Sequence, residues 1–207
     1  MTRQKPESFE GKGPHVVLWD FGAKQNLIRE LTKRGCRVTA VPSFYTADQI
    51  LALSPDGVLL SNGPGDPVDN GDIIRQVQKL FTAKLPMMGV CLGHQLMALA
   101  NGASTEKLPF GHRGANQPVK DLRTGRVAVT SQNHGYTVRP DSLPEIASLR
   151  FVNCNDGTCE GIDYHNAPAF SVQFHPEACG GPHDTAYLFD CFLKLVNHTE
   201  SEEFPCR

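Results

Sequence analysis

The chain has 207 residues, 40% of them hydrophobic and 20% charged, and a formal net charge of -2. That length supports one sizeable core, and the composition is that of an ordinary globular domain. The charge carries no electrostatic footprint of a nucleic-acid or membrane partner, and no apolar run is long enough to span a bilayer.

The opening "MTRQKPESFEGKGP" is polar and lacks the apolar stretch of a secretory signal. Residues 1–14 are read as a connector or flexible N-terminus, and a cytoplasmic location is expected. "HVVLWDFG" is a short apolar run ending in turn residues. "KQNLIRELTKRG" places Leu27, Ile28 and Leu31 at helical spacing before a glycine stop. "CRVTAVP" is strand-like, and "TADQILAL" is a short helix that Thr46 can cap. "DGVLLSNGPGDP" joins an apolar run to a glycine-proline loop. "NGDIIRQVQKLF" is helical, "LPMMGV" is strand-like, and "LGHQLMALANG" is a helix closed by glycine. Four strand–helix alternations predict an α/β fold with a mostly parallel central sheet flanked by helices. Ligands of such sheets sit beyond the carboxyl ends of the strands. The loops of interest are therefore "DFGAK", "SNGPGDP" and the turn at Cys91.

The second half is β-rich. "GRVAVTSQNHGYTV", "IASLRFVNCNDG", "CEGIDYH" and "APAFSVQFHPE" read as short strands, and "HDTAYLFDCFLKLVNH" as a closing amphipathic helix before the tail at 199–207. Seven cysteines at irregular spacing, an odd number, favour reduced thiols. "CNDGTC", with His165 nearby, has no paired C-x-x-C, so no metal is expected there.

The pattern G-x-C-x-G from Gly89 to Gly93 follows a strand and opens a helix. It is the cysteine form of a nucleophile elbow, whose tight strand-to-helix turn needs glycines where side chains would collide. A helix beginning at Leu92 would aim its unpaired N–H groups and positive dipole end at the sulfur, favouring the thiolate. The Leu92 N–H could also hold an oxyanion. The plain alternative is a buried structural cysteine. A cysteine nucleophile needs a base and the base an orienter, and "SVQFHPEA" offers both in His175 and Glu177. If that segment is extended, residues two apart point the same way. The other histidines, at 15, 94, 112, 134, 165, 183 and 198, lack such a partner, apart from His183 beside Asp184, and default to structural or loop roles.

With "GVCLGHQ" and "FHPE" together the chain resembles the class I glutamine amidotransferases. "LSNGPGDP", "FGHRGANQPV", "TSQNHGYTV" and "SVQFHPEACGGPHDTAYLFDCF" are similar to the glutamine-hydrolysing subunit of carbamoyl-phosphate synthetases, over residues 15 to about 195. The resemblance implies a glutaminase domain over 15–198, with Cys91 as nucleophile, His175 as general base and acid, and Glu177 as its orienter. It implies an oxyanion hole of the Gly63 and Leu92 N–H groups. Gly65 would allow a close approach of substrate, Gln95 would contact it, and Asn133, Gly135 and Tyr136 would bind the α-amino and α-carboxylate end of glutamine. His134, between them, would tune the site. No cofactor is implied in this chain, ATP being used on the large synthetase subunit that would receive the ammonia. In that family the small subunit carries a further N-terminal domain, joined through the segment matching residues 1–14. Two other readings share the same residues: a glutaminase serving another synthetase, and a partner-binding relative without activity.

Overall fold

In a computed structural model the described residues are 2–179, 181 and 184–197. His183, His198 and the tail fall outside them.

The first half forms as its periodicity predicts. Strand β1 (Glu7–Phe9) precedes β2 (His15–Asp20), α1 (Gln25–Thr32), β3 (Arg37–Pro42), α2 (Ala47–Ala52), β4 (Gly57–Leu60), α3 (Gly71–Thr82), β5 (Met87–Val90) and α4 (Leu92–Ala100). β2 is buried along its whole length, as expected for a parallel strand covered on both faces. Val17 and Trp19 pack on one side with Val77, Leu80 and Phe81 of α3 and Leu96 of α4. Val16 and Leu18 pack on the other with Leu27, Ile28 and Leu31 of α1. Thr46 caps α2: its side chain accepts from the Gln49 N–H at 3.2 Å while the Gln49 side chain accepts from the Thr46 N–H at 2.9 Å.

The second half comprises β6 (Thr105–Asp121), β7 (Val127–Val138), β8 (Ala147–Asn153), β9 (Cys159–Tyr164), β10 (Ala169–Val172) and α5 (Tyr187–Val196). One sheet runs through the molecule in the order β1-β3-β2-β4-β5-β10-β9-β8-β6-β7. β3, β2, β4, β5 and β10 are parallel, and β9, β8, β6 and β7 continue antiparallel. α5 covers the α1 face through Phe189 and Phe192.

Three features depart from the sequence reading. β1 pairs antiparallel with β3, so part of the polar N-terminal segment is an edge strand. Its three residues carry no detectable alternation; backbone pairing holds them. β6 was not expected at all, because "TEKLPFGHRGANQPVKD" mixes proline, glycine and charge. It is stabilised by pairing with β7 from Thr105↔Val138 to Lys120↔Val127, with two irregularities that absorb Gly111 at φ 65° and Gly114 at φ 131°. Finally, Cys36, Cys91, Cys154, Cys159 and Cys179 are free thiols, but Cys191 is in a disulfide. An odd count argues against full pairing, not against one bond.

Candidate functional site

The register β5–β10 explains how Cys91 and His175 meet. Met87 lies opposite Ala169 and Val90 opposite Val172 in a parallel pair, so both chains leave the sheet at the same end. The Cys91 N–H donates to the Val172 carbonyl at 2.9 Å. At Cys91 the backbone turns to φ 55°, ψ -105°, a region sparsely populated by residues with a Cβ. The flanking glycines permit the turn sterically. A Cβ on Gly93 would lie 2.4 Å from the Leu60 carbonyl oxygen of β4, and one on Gly89 would lie 2.6 Å from the Met97 sulfur and 2.9 Å from the Gly93 backbone. Cys91 is 6% exposed, at the N-terminus of α4.

His175 and Glu177 do come together, but not through strand alternation. β10 ends at Val172, and the two residues lie in a turn closed by the Ala178 N–H on the His175 carbonyl at 3.2 Å. Pro176, inside this turn, fixes the backbone between them. His175 Nδ1 donates to Glu177 Oε1 at 2.7 Å. Burial opposes a charge on His175, but its hydrogen bonds with Cys91 and Glu177 prevail and raise its pKa to about 9. Burial likewise works against the Glu177 carboxylate, and the His175 hydrogen bond and charge, with Lys24, overcome it and hold its pKa low. Lys24 Nζ lies 3.4 Å from Glu177 Oε1, and Asn26 Nδ2 donates to the Glu177 carbonyl. Sequence reasoning noted the "DFGAK" loop but not these two contacts, which join segments far apart in the chain.

The loop after β4 lies alongside. Phe21 N–H donates to Ser61 Oγ at 2.9 Å, and Asn62 Nδ2 to the Gly22 carbonyl at 2.9 Å. Gly63 packs so closely that a Cβ would stand 2.5 Å from the Phe21 carbonyl oxygen and 2.7 Å from Leu92 Cδ2. Gly63 therefore lies against the Leu92 side chain, beside the elbow. The Gly93 N–H is taken by the Ser61 carbonyl at 3.1 Å, while the Leu92 amide belongs to the first helical turn, which has no intrahelical acceptor. Gly65 sits at φ 101° with open space around its Cα.

β7 reaches back over this end of the sheet. Its Ser131 carbonyl accepts from the His175 N–H at 2.9 Å, and its Tyr136 carbonyl accepts from Gln95 Nε2 at 2.9 Å. Gln95 Nε2 also donates to Gln173 Oε1 at 2.8 Å, and the residue is 3% exposed. Its amide nitrogen is therefore engaged within the protein, which leaves its oxygen as the group able to meet a ligand. Asn133 is exposed, and Gly135 and Tyr136 are half-buried. Asp66 of the "NGPGDP" loop raises the pKa of the Tyr136 hydroxyl.

Other histidines have partners the sequence did not reveal. His112, opposite His134 in the β6–β7 ladder, contacts Glu160 Oε1 at 3.2 Å and Asp156 Oδ2 at 2.8 Å. The hydrogen bond with Glu160 raises its pKa to about 9, against burial and with the help of Asp156. Burial pushes His134 down to about 4 and Glu160 up. His94 is fully buried, with Nδ1 2.8 Å from Ser171 Oγ, and burial lowers its pKa to about 3. By contrast Cys154 is exposed, Cys159 is buried, and His165 Nε2 meets Ser148 Oγ at 3.1 Å; these three do not form a cluster. Among the described residues no helix is long and apolar enough to cross a membrane.

A parallel sheet with helices on both faces, a cysteine elbow after β5 and a histidine–glutamate pair after β10 define a class, and the comparisons agree with it. The family model described as "Glutamine amidotransferase class-I" matches residues 17–195, and the chain belongs to that family. The "Carbamoyl phosphate synthase small chain" of Symbiobacterium thermophilum is 53% identical over 195 residues, covering 94% of this chain and 54% of that protein. The pyrimidine-specific small chain of Bacillus subtilis is 52% identical over 192 residues, 93% of this chain and 52% of that protein. The chain thus spans about half the length of the curated relatives it matches. A solved Thermoplasma acidophilum protein, assigned to GMP synthase as one of its subunits, shares the fold at a TM-score of 0.79 and 21% identity, over 90% of this chain and 95% of that one.

Proposed function

We propose that the chain hydrolyses L-glutamine to glutamate and ammonia, with Cys91, His175 and Glu177 as its triad. The observation that carries this reading is Cys91, strained at a helix N-terminus just after the strand that pairs with β10, together with His175, which follows β10 and is hydrogen-bonded to a buried Glu177 at 2.7 Å. The thiolate is the reactive form of cysteine. The sulfur attacks the side-chain carboxamide carbon of glutamine. The carbonyl oxygen takes the negative charge and is held by the Gly63 and Leu92 N–H groups. His175 gives its proton to the nitrogen, the C–N bond breaks, and ammonia leaves. Water then loses a proton to His175 as its oxygen attacks the thioester. Collapse of that second intermediate releases glutamate and restores the thiolate. Asn133, Gly135 and Tyr136, with the Gln95 side-chain oxygen, hold the amino-acid end of the substrate, and Gly65 leaves its approach open. None of these steps calls for a cofactor.

Similarity to carbamoyl phosphate synthase small chains supports transfer of the ammonia to a large synthetase subunit, in the cytoplasm. A glutamate-release assay tests the first part. Slow release is expected from the chain alone, and Cys91→Ala should lower it by about 10³-fold or more while the circular dichroism spectrum stays unchanged. Release that survives Cys91→Ala would remove Cys91 as nucleophile. Adding a carbamoyl-phosphate synthetase large subunit with ATP and bicarbonate tests the second part. Glutamine-dependent carbamoyl phosphate is expected, and hydrolysis without it would point to another synthetase.

A further inference from the structure

The cluster behind β7 gathers polar side chains whose orientations their neighbours fix. Thr130 Oγ1 faces the Gln117 carbonyl at 2.9 Å and must spend its single proton there. Gln132 Nε2, 3.1 Å from the same Oγ1, must therefore donate to it, which fixes the orientation of the Gln132 amide. Gln132 Oε1 then points at His134 Nε2, 3.0 Å away. His134 Nδ1 faces the Tyr136 carbonyl at 2.8 Å and must carry a hydrogen. With His134 Nδ1 committed to Tyr136, Nε2 is the ring atom that faces Gln132 Oε1 at 3.0 Å.

The same point gathers more donor atoms. His112 Nδ1 lies 3.0 Å from Gln132 Oε1 and 3.2 Å from Glu160 Oε1, and His134 Nε2 lies 4.0 Å from Glu160 Oε1. The ligating atoms of His112, His134 and Glu160 lie within 4.8 Å of one another. Tetrahedral zinc with bonds near 2.0–2.1 Å separates its ligands by about 3.3 Å, within the span of these distances. The outer nitrogens are arranged as metal-bound imidazoles usually are, one on a carboxylate and one on a backbone carbonyl. His112 Nε2 donates to Asp156 Oδ2 at 2.8 Å, and His134 Nδ1 to Tyr136. Glu160 Oε2, in a side chain with no exposed surface, has no hydrogen-bond partner among the described residues. A cation taking the place of the His112 Nδ1 hydrogen would keep that carboxylate paired.

We propose that His112 Nδ1, His134 Nε2, Glu160 Oε1 and Gln132 Oε1 form a binding site for a divalent transition cation of the zinc class. The donors are borderline nitrogen and hard oxygen, with no sulfur, a set suited to zinc or cobalt rather than copper(I). Its four ligand atoms belong to none of the triad residues, and it borders the glutamine site through His134, between Asn133 and Gly135.

Cobalt(II) titration of the full chain tests it, in a Cys91→Ser background that removes the nearby thiolate–imidazole pair. One equivalent should bind with visible d–d absorption, without the near-ultraviolet thiolate charge-transfer band, and be displaced by zinc. His112→Gln and Glu160→Gln should each weaken binding by about tenfold or more. Circular dichroism checks the folding of each variant, and Gln132→Leu provides a third should one of them unfold. Absence of stoichiometric binding, a thiolate band, or unchanged affinity in the folded variants would overturn the site.

Discussion

The two halves of the sheet are packed by different means. Between β2 and β5 the interior is almost wholly apolar, with Val16, Val17, Leu18 and Trp19 alternating between two clusters. Between β6 and β9 the interior holds Arg150, Asp121, Asp163, Glu160, His134 and Gln132, each under a tenth exposed. Apolar burial is non-directional and survives with any neighbour of suitable volume. A buried charge needs a particular partner, and in this half the partners arrive from other strands. Arg150 on β8 meets Asp163 on β9 at 3.3 Å and Asp121 at the end of β6 at 3.6 Å, with its guanidinium 4.7 Å from the Phe151 ring centroid. The candidate active site lies on the seam, where β5 of the first half pairs with β10 of the second.

The largest effect expected on stability should expose this difference. Arg150→Ala removes the guanidinium facing Asp121 and one of the two on Asp163, the other being Arg123 at 3.1 Å, and should cost about 3 kcal/mol or more in denaturant unfolding. Leu59→Ala in the apolar half should cost about 2–5 kcal/mol through its cavity. The two are separated by pH. Burial raises the pKa of Asp163, against the pull of Arg150. Removing Arg150 raises it further, so acidification neutralises Asp163 and shrinks the Arg150→Ala deficit. The Leu59→Ala deficit should stay constant. Parallel behaviour of the two deficits would show that the β-rich half is held by packing alone.

The same contrast explains what could be read from the sequence. The elbow was legible because its requirement is local: Gly89, Cys91 and Gly93 occupy five consecutive positions, and the clash each glycine avoids is with its own turn or the adjacent β4. The alternation of β2 to β5 was legible for the same reason. β6 was not, because its pairing with β7 overrides a sequence of weak strand propensity. The contacts of His112 with Asp156 and Glu160 were invisible, since nothing in the spacing brings β6, β7 and β9 to one point. His175 and Glu177 were singled out together, but the strand geometry offered for them was mistaken; a turn holds them. Lys24 and Asn26 gave no signal of reaching Glu177, because that contact exists only once the loop after β2 and the turn after β10 share one end of the sheet.

Glu177→Gln probes the seam with a smaller change. The amide keeps the shape but loses the charge that helps hold the proton on His175. Glutamine hydrolysis should fall about tenfold to a hundredfold, less than for Cys91→Ala. His175 has a folded pKa raised to about 9 against about 6.5 unfolded. Its contribution to stability is therefore complete below about pH 6.5 and is lost as pH rises through about 9. The stability gap between the parent chain and Glu177→Gln should be widest near pH 6 and narrow toward pH 9. NMR titration of the His175 ring should show its pKa lowered in the variant. An unshifted ring would mean that Glu177 does not hold the proton there.

The smallest expected effect returns to the local half. Thr46 and Gln49 satisfy each other's amide N–H groups at the start of α2, an arrangement made within four residues. Thr46→Ala frees one first-turn N–H and should cost about 1 kcal/mol. It should leave glutamine hydrolysis unchanged, because α2 packs against α3 and contributes no residue to the triad or the glutamine-binding set. Glu177→Gln should do the reverse, altering the rate more than its stability cost would suggest. If Thr46→Ala slowed hydrolysis at a temperature where the chain stays folded, the division between a locally built scaffold and a site assembled from distant strands would fail, and α2 would have to be counted among the elements that hold the elbow in place.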